Sequence, residues 1–510
     1  MNSVPVAALQ NPYCEIMDNC RVDNGYVYLR NGDASRGLVS GSNNVKGLAG
    51  HANSGKLFQA VNHSGGAGGF HIYDVTTSGA FSDVYSIAGA DTCDLILPTE
   101  FKGYLYIFGN DSLSTFGGVY FDGTTWASTA YTLSGGLEPV FSFVYKHRHY
   151  LVDQDSNLVG YSNIDAVTGS LTVKDFSNIF ETSGYIIGGG AVSMSDNVEA
   201  QTFFVLINSQ GEIVAFQGNY PDSDTWGIAT RFKLPTPPTS YRGFIKYRGD
   251  IVVITSSGLY SIRDLFLKGN QATGNLALSA AIAPRWKQIF KSYFAQGVSS
   301  IYIQGCWDEL NNRFIIMFPW YVDRNGFMHF GGFNTNNGQF LIYDIEKEAW
   351  NEDYTSPTST GNGIESLLYF NKSTFFCSHS TGFIWRKEAA TNFLDANESG
   401  SGSNGIKWQI RSAPIENNKF GTTDATGVEM IIQSDLYDEF SVGFILDLGR
   451  ITTDAQDIPL QGTTVEKPLY NIGGEATYVQ WQILGTTTGS ASTGFKLFAV
   501  NVWAEQGEGR

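Results

Sequence analysis

Three short stretches carry residue types at spacings that could do chemistry. "GHANSGKL" (50–57) matches the G-x-x-x-x-G-K outline of a phosphate-cradling loop. Such a loop works because amides at a helix N-terminus face the phosphates and the next hydroxyl holds magnesium. Here Leu57 follows Lys56, and "KLFQAVN" has the composition of a strand, so both requirements fail. "KHRHY" (146–150) would set His147 and His149 on one face of a strand as a two-ligand metal fragment. The five other histidines form no second cluster with carboxylates. "DQDSNLVG" (153–160) begins as a calcium loop begins, but it lacks the central glycine and the closing glutamate and reads as a hairpin turn.

Wider searches for catalysis end the same way. A glycosidase needs two carboxylates across one cleft, and the 49 acidic residues are scattered through loops without singling out a pair. There is no G-x-S-x-G elbow, no Cys-His framework, and too few histidines in suitable places for a copper centre. Cys14, Cys20, Cys93, Cys306 and Cys377 form no CxxC and read as free thiols. The expectation is therefore a chain that is not an enzyme, with no catalytic, cofactor or metal residues.

The elements that would position any site are strands. Only 16% of the 510 residues are charged, while 58 are glycine and 71 aromatic, a balance that favours extended segments and tight turns. Runs such as "GYLYIFG", "QTFFVLINSQGEIVAFQG" and "RGDIVVITSSGLYSI" are strands or whole hairpins. The N-terminus has no basic-then-apolar signal peptide pattern, and the longest apolar run, "FIIMFPWYV" (314–322), is far short of the ~20 residues of a spanning helix. The formal charge of −17 disfavours tight nucleic-acid binding, which depends on Lys and Arg displacing counterions.

A recurrence organises the chain. "GFHIYDVTTSGAFSD" (69–83), "GGVYFDGTTWASTA" (117–130) and "FLIYDIEKEAWNEDY" (340–354) each run from an apolar strand into an aromatic residue plus Asp, then through a turn to Phe81, Trp126 or Trp350. Strand–turn–strand units return every ~40–50 residues, the spacing of β-propeller blades. In that reading the aromatic before the Asp ends an inner strand, the Asp holds the turn, and the later aromatic packs between blades. One segment departs from it: in "APRWKQIFKSYFAQ" (283–296) Trp286, Ile289, Phe290, Tyr293 and Phe294 form the apolar face of a helix. Its polar side carries Arg285, Lys287 and Lys291, the candidate contacts for an acidic partner or DNA. Near "NESGSGSNG" (397–405) the composition becomes that of a linker. The fold expected is all-β: residues 1–400 as a β-propeller-like domain with an N-terminal strand, and 401–510 as a C-terminal β-barrel or β-sandwich domain.

Three stretches together resemble the tail nozzle (tail hub, tail tubular protein B) family of short-tailed bacteriophages: "NCRVDNGYVYLRNGD" (19–33), "FVYKHRHYLVDQDSNLVGYSNIDAVTG" (143–169) and "WQILGTTTGSASTGFKLFAVNVWAEQGEGR" (481–510). The resemblance implies a virion structural protein, assembled in the host bacterial cytoplasm as a homohexamer in the tail. It would bind the adaptor protein beneath the portal, retain packaged DNA, and pass it at ejection without specific binding. Tail fibres and a host surface receptor stay open as further partners. The family contributes a β-propeller with added β domains and no catalytic residues. The alternative is a propeller-type receptor- or glycan-binding phage tail protein.

Overall fold

The computed structural model describes the chain apart from residues 1, 6–13, 24–25, 32, 40–42, 64–68, 89–92, 116, 129–130, 134, 197–198, 269–275, 330–337, 356–362, 379–381, 390–393 and, beyond 396, the connections between strands. Five four-stranded antiparallel sheets, one three-stranded sheet and the first four strands of an eleven-stranded sheet, which continues through Cys14–Asp18, follow one another along the chain as the blades of a β-propeller. Their first strands are Asn43–His51, Ile96–Phe101, Pro139–Tyr145, Ile186–Asp196, Phe244–Tyr247, Gln304–Asp308 and Ile364–Phe370. Each lies against the following blade and the last against the first, so the ring closes. The later blades start further apart than the expected repeat because loops and helices are inserted between them.

Closure uses the beginning of the chain. The seventh blade takes Ile364–Phe370, Ser373–Ser378 and Phe383–Arg386 from late in the sequence and its outer strand, Ala34–Leu38, from early in it. Arg386 pairs with Ala34 and Phe383 with Leu38. A ring finished this way leaves no long open edge between its first and last blades.

Between blades the alternating residues of neighbouring sheets meet in apolar seams, for example Phe58, Phe70 and Ile72 against Ile107, Val119 and Phe121. The first strands come so close that a Cβ on Gly188 would stand 2.5 Å from the Phe244 ring, and one on Gly305 2.4 Å from Ile245. Glycine is required there by the close approach. The fifth blade has three strands, and the expected helix, Ala283–Ala295, packs into the wedge beside it. Its Trp286, Ile289, Phe290 and Tyr293 are buried with Ile254 and Leu259 of the fifth blade and Phe318 and Leu341 of the sixth. Pro284 sits in its first turn, where a missing N–H costs nothing. A second helix, Ile262–Lys268, was not expected. Its two turns are too short to show a period, and its signal is Ser261, whose Oγ accepts from the Asp264 amide at 3.1 Å.

The last hundred residues form two sheets together with the N-terminus. Cys14–Asp18 pairs with Lys407–Ser412, which pairs with Tyr478–Thr486 and through it with Glu439–Leu446. In the other sheet Lys496–Gln506 pairs with Thr423–Gln433, Asn2–Pro5 and Tyr26–Leu29. The N-terminal strands thus belong to the C-terminal sheets, whereas the sequence suggested they belong with the propeller. Pairing over such a separation leaves no local pattern to read. Part of the supposed linker is also paired, Ser403–Gly405 against Leu394–Ala396.

Candidate functional site on the face of the first hairpin turns

In each antiparallel blade the first and third strands run the same way, so the turns that follow them open on one face of the ring. The first turns of blades two, three, five and seven are two-residue turns with both φ values positive: Lys102-Gly103, Lys146-His147, Arg248-Gly249 and Asn371-Lys372. That geometry matches the twist of the strands it joins. Each also raises a cation on this face. Lys102 Nζ lies 2.7 Å from Asp165 Oδ1 of the third blade. Lys146 Nζ donates to Gly218 O at 2.9 Å and Asn219 Oδ1 at 3.1 Å in the fourth. The Arg248 guanidinium stands 5.6 Å from the Trp307 ring centroid in the sixth. Lys372 of the seventh blade has no ion pair among the described residues.

These turns dispose of the tempting motifs. In "GHANSGKL" Gly50 lies in the first strand of blade one and Gly55 in the turn after it, followed by the strand Lys56–His63, and Lys56 Nζ meets Asp74 Oδ2 at 3.4 Å. His147 occupies a turn, exposed beside Asp165, while His149 is buried in a strand with Nδ1 3.1 Å from the Tyr131 hydroxyl. They share no face, because His147 lies in the turn and only His149 in the strand after it. Burial pushes the His149 pKa down to about 3 and Lys246 adds to the effect, so it is a neutral core residue. "DQDSNLVG" is the expected turn. Among the described residues no three His, Cys, Asp or Glu side chains are grouped to hold a metal. Cys20, Cys93, Cys306 and Cys377 are free thiols, and the Cys14 side chain lies outside the described residues.

The third turns explain the recurring aromatic-Asp pairs. Asp74 Oδ1 accepts from the Thr76 amide at 3.0 Å, Asp122 Oδ1 from those of Thr124 and Thr125 at 2.7 Å, and Asp344 Oδ1 from those of Glu346 and Lys347 at 3.1 and 3.0 Å. The aspartate holds the turn as expected, and the strand before that turn is the third of its blade, paired on both sides. Trp126 packs 4.9 Å from Phe58 of blade one, and Trp350 lies 5.0 Å from Tyr343. A fourth copy, "NYPDSDTWG" (219–227), was missed: Trp226 stacks on Phe216 at 5.1 Å. Its signal was the Asp222–Trp226 spacing, the same as Asp122–Trp126. In blade seven the third strand ends on Arg386, with Lys387 next and no aspartate.

Where the ring closes, ionisable groups are packed together. Arg21 donates to both oxygens of Asp353, at 2.7 and 2.5 Å, and to Glu388. Lys387 Nζ lies 2.8 Å and Arg30 Nε 3.7 Å from Asp353 Oδ2. Arg313 joins Asp308 at 2.8 Å and Glu388 at 3.1 Å. Deeper, Arg324 bridges Asp18 at 2.5 Å and Glu352 at 2.7 Å. Arg285 also grips Glu352 at 2.5 Å and donates to Val322 O and to Asp323 O, the latter at 2.7 Å. It is 9% exposed, which corrects its place on the helix's outward basic patch. A guanidinium gains more by satisfying several acceptors in the wedge than by facing water beside two lysines. Only Lys287 and Lys291 remain exposed there.

This clasp sets a pH dependence. Burial alone would raise the Asp353 carboxyl, but Arg21, Lys387 and Arg30 hold it well below the usual range, and Arg21, Arg313 and Lys387 do the same against burial for Glu388. Groups depressed in this way stabilise the fold above their unfolded values near 4, and the contribution is lost as pH falls below them. Asp18 acts oppositely: burial, opposed by Arg324 and reinforced by Glu352, pushes it up to about 6. Its ionisation costs stability as pH rises from ~4 to ~6. The melting temperature is expected to rise slightly from pH 7 to 5 as Asp18 takes up its proton and to drop below about pH 4.5, with a shallower acid limb in Asp353→Asn. Equal acid limbs in both proteins would remove the clasp as the cause.

Above the clasp is a half-open cleft of about 410 Å³ between blades six and seven, lined among others by Asn31, Arg313, Lys372, Thr374, Arg386 and Glu388. Six of its lining residues are Arg or Lys and two are acidic.

No family profile and no curated protein matches the chain. Among solved structures it is similar to Raptor of Chaetomium thermophilum, 10% identical over 70% of this chain with a TM-score of 0.40, of which it covers 29%. It is similar to BamB of Moraxella catarrhalis, 11% identical over 76% of this chain and 96% of the other, TM-score 0.35. It is also similar to the exo-β-1,3-galactanase of Phanerochaete chrysosporium, 8% identical over 80% of this chain and 95% of the other, TM-score 0.25. No activity follows from likeness at this level.

Proposed function

We propose that this chain is a non-catalytic structural subunit, the tail nozzle of a short-tailed phage, six copies of which surround the DNA path below the portal adaptor. The observation that carries a mechanical reading is the clasp. Asp18, Glu352, Asp353 and Glu388 each grip an arginine, and together they fasten the N-terminal strands to blades six and seven where the ring would otherwise open. A subunit that holds DNA under pressure benefits from a ring closed by its own chain. The net charge of −17 keeps passing DNA from adhering to the walls. A second reading, a propeller-type receptor- or glycan-binding tail protein, is favoured by the cation-rich cleft.

Electron microscopy of particles from the source, decorated with an antibody against this chain, separates the two. Axial label at the tail end, with six copies on reconstruction, is the expected result. Label on peripheral fibres would replace the nozzle with the receptor-binding reading. Particles without label would overturn both.

A further inference from the structure

We infer that the cleft between blades six and seven binds a small oxoanion, a carboxylate or phosphate group, through Arg386 and Lys372. On this face every other cation of a two-residue first turn already touches the next blade: Lys102 on Asp165, Lys146 on Asn219, Arg248 on Trp307. Lys372 is the exception, and it lines the cleft instead. Third turns elsewhere supply an acid, as Asp74 does for Lys56. Blade seven ends its third strand on Arg386, with Lys387 next, so the position that holds Asp74 against Lys56 in blade one here carries a cation.

The two new cations differ. Lys387 is 5% exposed and ion-paired with Asp353, 2.8 Å from its Nζ. Arg386 is partly exposed and has no ion pair among the described residues. Its field reaches its neighbour: burial and then Arg386 hold the Arg36 guanidinium below its ordinary pKa. Both acids of the cleft are already engaged, Glu388 by Arg21 and Arg313 and Asp308 by Arg313. In the same walls two buried residues keep unpaired polar atoms, Thr374 Oγ1 and Arg21 Nε, with the residues 4% and 7% exposed.

A planar guanidinium with unused donors is matched by the paired oxygens of a carboxylate or phosphate, and a lysine opposite adds a point charge. A volume of about 410 Å³ holds a group of that kind on a small carrier such as a sugar or nucleotide. The site is independent of how the chain assembles, so it holds under either reading of function.

The test is calorimetric titration of the full chain with inorganic phosphate and, separately, with acetate, both at ionic strength matched by chloride. Saturable binding of at least one anion is expected, weakened about tenfold or more in Arg386→Gln and in Lys372→Gln. Lys372 lies in an exposed turn, so that variant keeps the fold if Arg386→Gln does not. Lys287→Gln, with the same charge change on the helix, should titrate like the wild type. Phosphate alone binding would assign a phosphate ligand and acetate alone a carboxylate ligand. No saturable binding of either, or equal binding by all the variants, would overturn the site.

Discussion

Asp353→Ala is expected to cost about 3–5 kcal/mol, read as a large drop in the denaturant midpoint of the propeller. Its side chain has no exposure, and three cations converge on it: Arg21 with two donors, Lys387, and Arg30. Removing one partner of a buried ion pair costs more than the pair is worth, because the other is left charged and dry. Arg21 would retain Glu388 and Arg30 would retain Asp33, but Lys387, with the Phe340 ring 4.4 Å from its Nζ, would lose its carboxylate partner and keep only the longer-range attraction of Glu388. Asp353→Asn, which keeps the shape and two acceptors' worth of space, should lose nearly as much, since charge is the missing element. The comparison is the exposed pair Lys174–Asp222, 2.8 Å apart with both side chains 42% exposed. Breaking it by Lys174→Met should cost no more than about 1 kcal/mol. Similar losses at the two sites would mean the clasp does not fasten the ring.

The contrast between those pairs marks what the sequence could tell. The blades were legible because each is a local hairpin series: "RGDIVVITSSGLYSI" announces its own strands and turn, and the fold delivers Asp250–Thr255 and Gly258–Ser261. The turn-holding aspartates were legible for the same reason, since Asp122 and its amide donors lie within three residues. The clasp was not. Arg21 and Asp353 are partners only because an N-terminal strand crosses to a late blade, and nothing near either residue encodes the other. Arg285 shows the cost of reading a helix alone: helical spacing put it on the polar side with Lys287 and Lys291, and the hairpin holding Asp323 then closed over it. The cleft was hidden for a related reason. Lys372 and Arg386 stand at separate turns of blade seven, and Arg386 occupies the position that an acid, Asp74, holds in blade one.

Trp286→Ala is the second change expected to cost about 3–5 kcal/mol, through a cavity this time and not a charge. The indole is fully buried where the three-stranded fifth blade leaves room for a helix, and it meets Phe290, Phe318 and Trp350 with ring centroids 5.6, 6.2 and 6.0 Å away. Its Nε1 donates to Thr255 O at 3.0 Å, tying the helix to the second strand of that blade. Alanine would remove both the ring and that donor, leaving a void and a buried carbonyl short of a partner. Trp286→Phe separates the two: it keeps most of the volume and should lose about 1–3 kcal/mol for the unmatched carbonyl and the misfit. Phe294 on the same helix is 59% exposed, and Phe294→Ala should change stability by less than about 0.5 kcal/mol. Denaturant midpoints for the three variants, with limited proteolysis to see whether residues 283–295 are released first, make the measurement. If Trp286→Ala melts with the wild type, the helix does not fill the wedge, and the fifth and sixth blades must be held together by their strands alone.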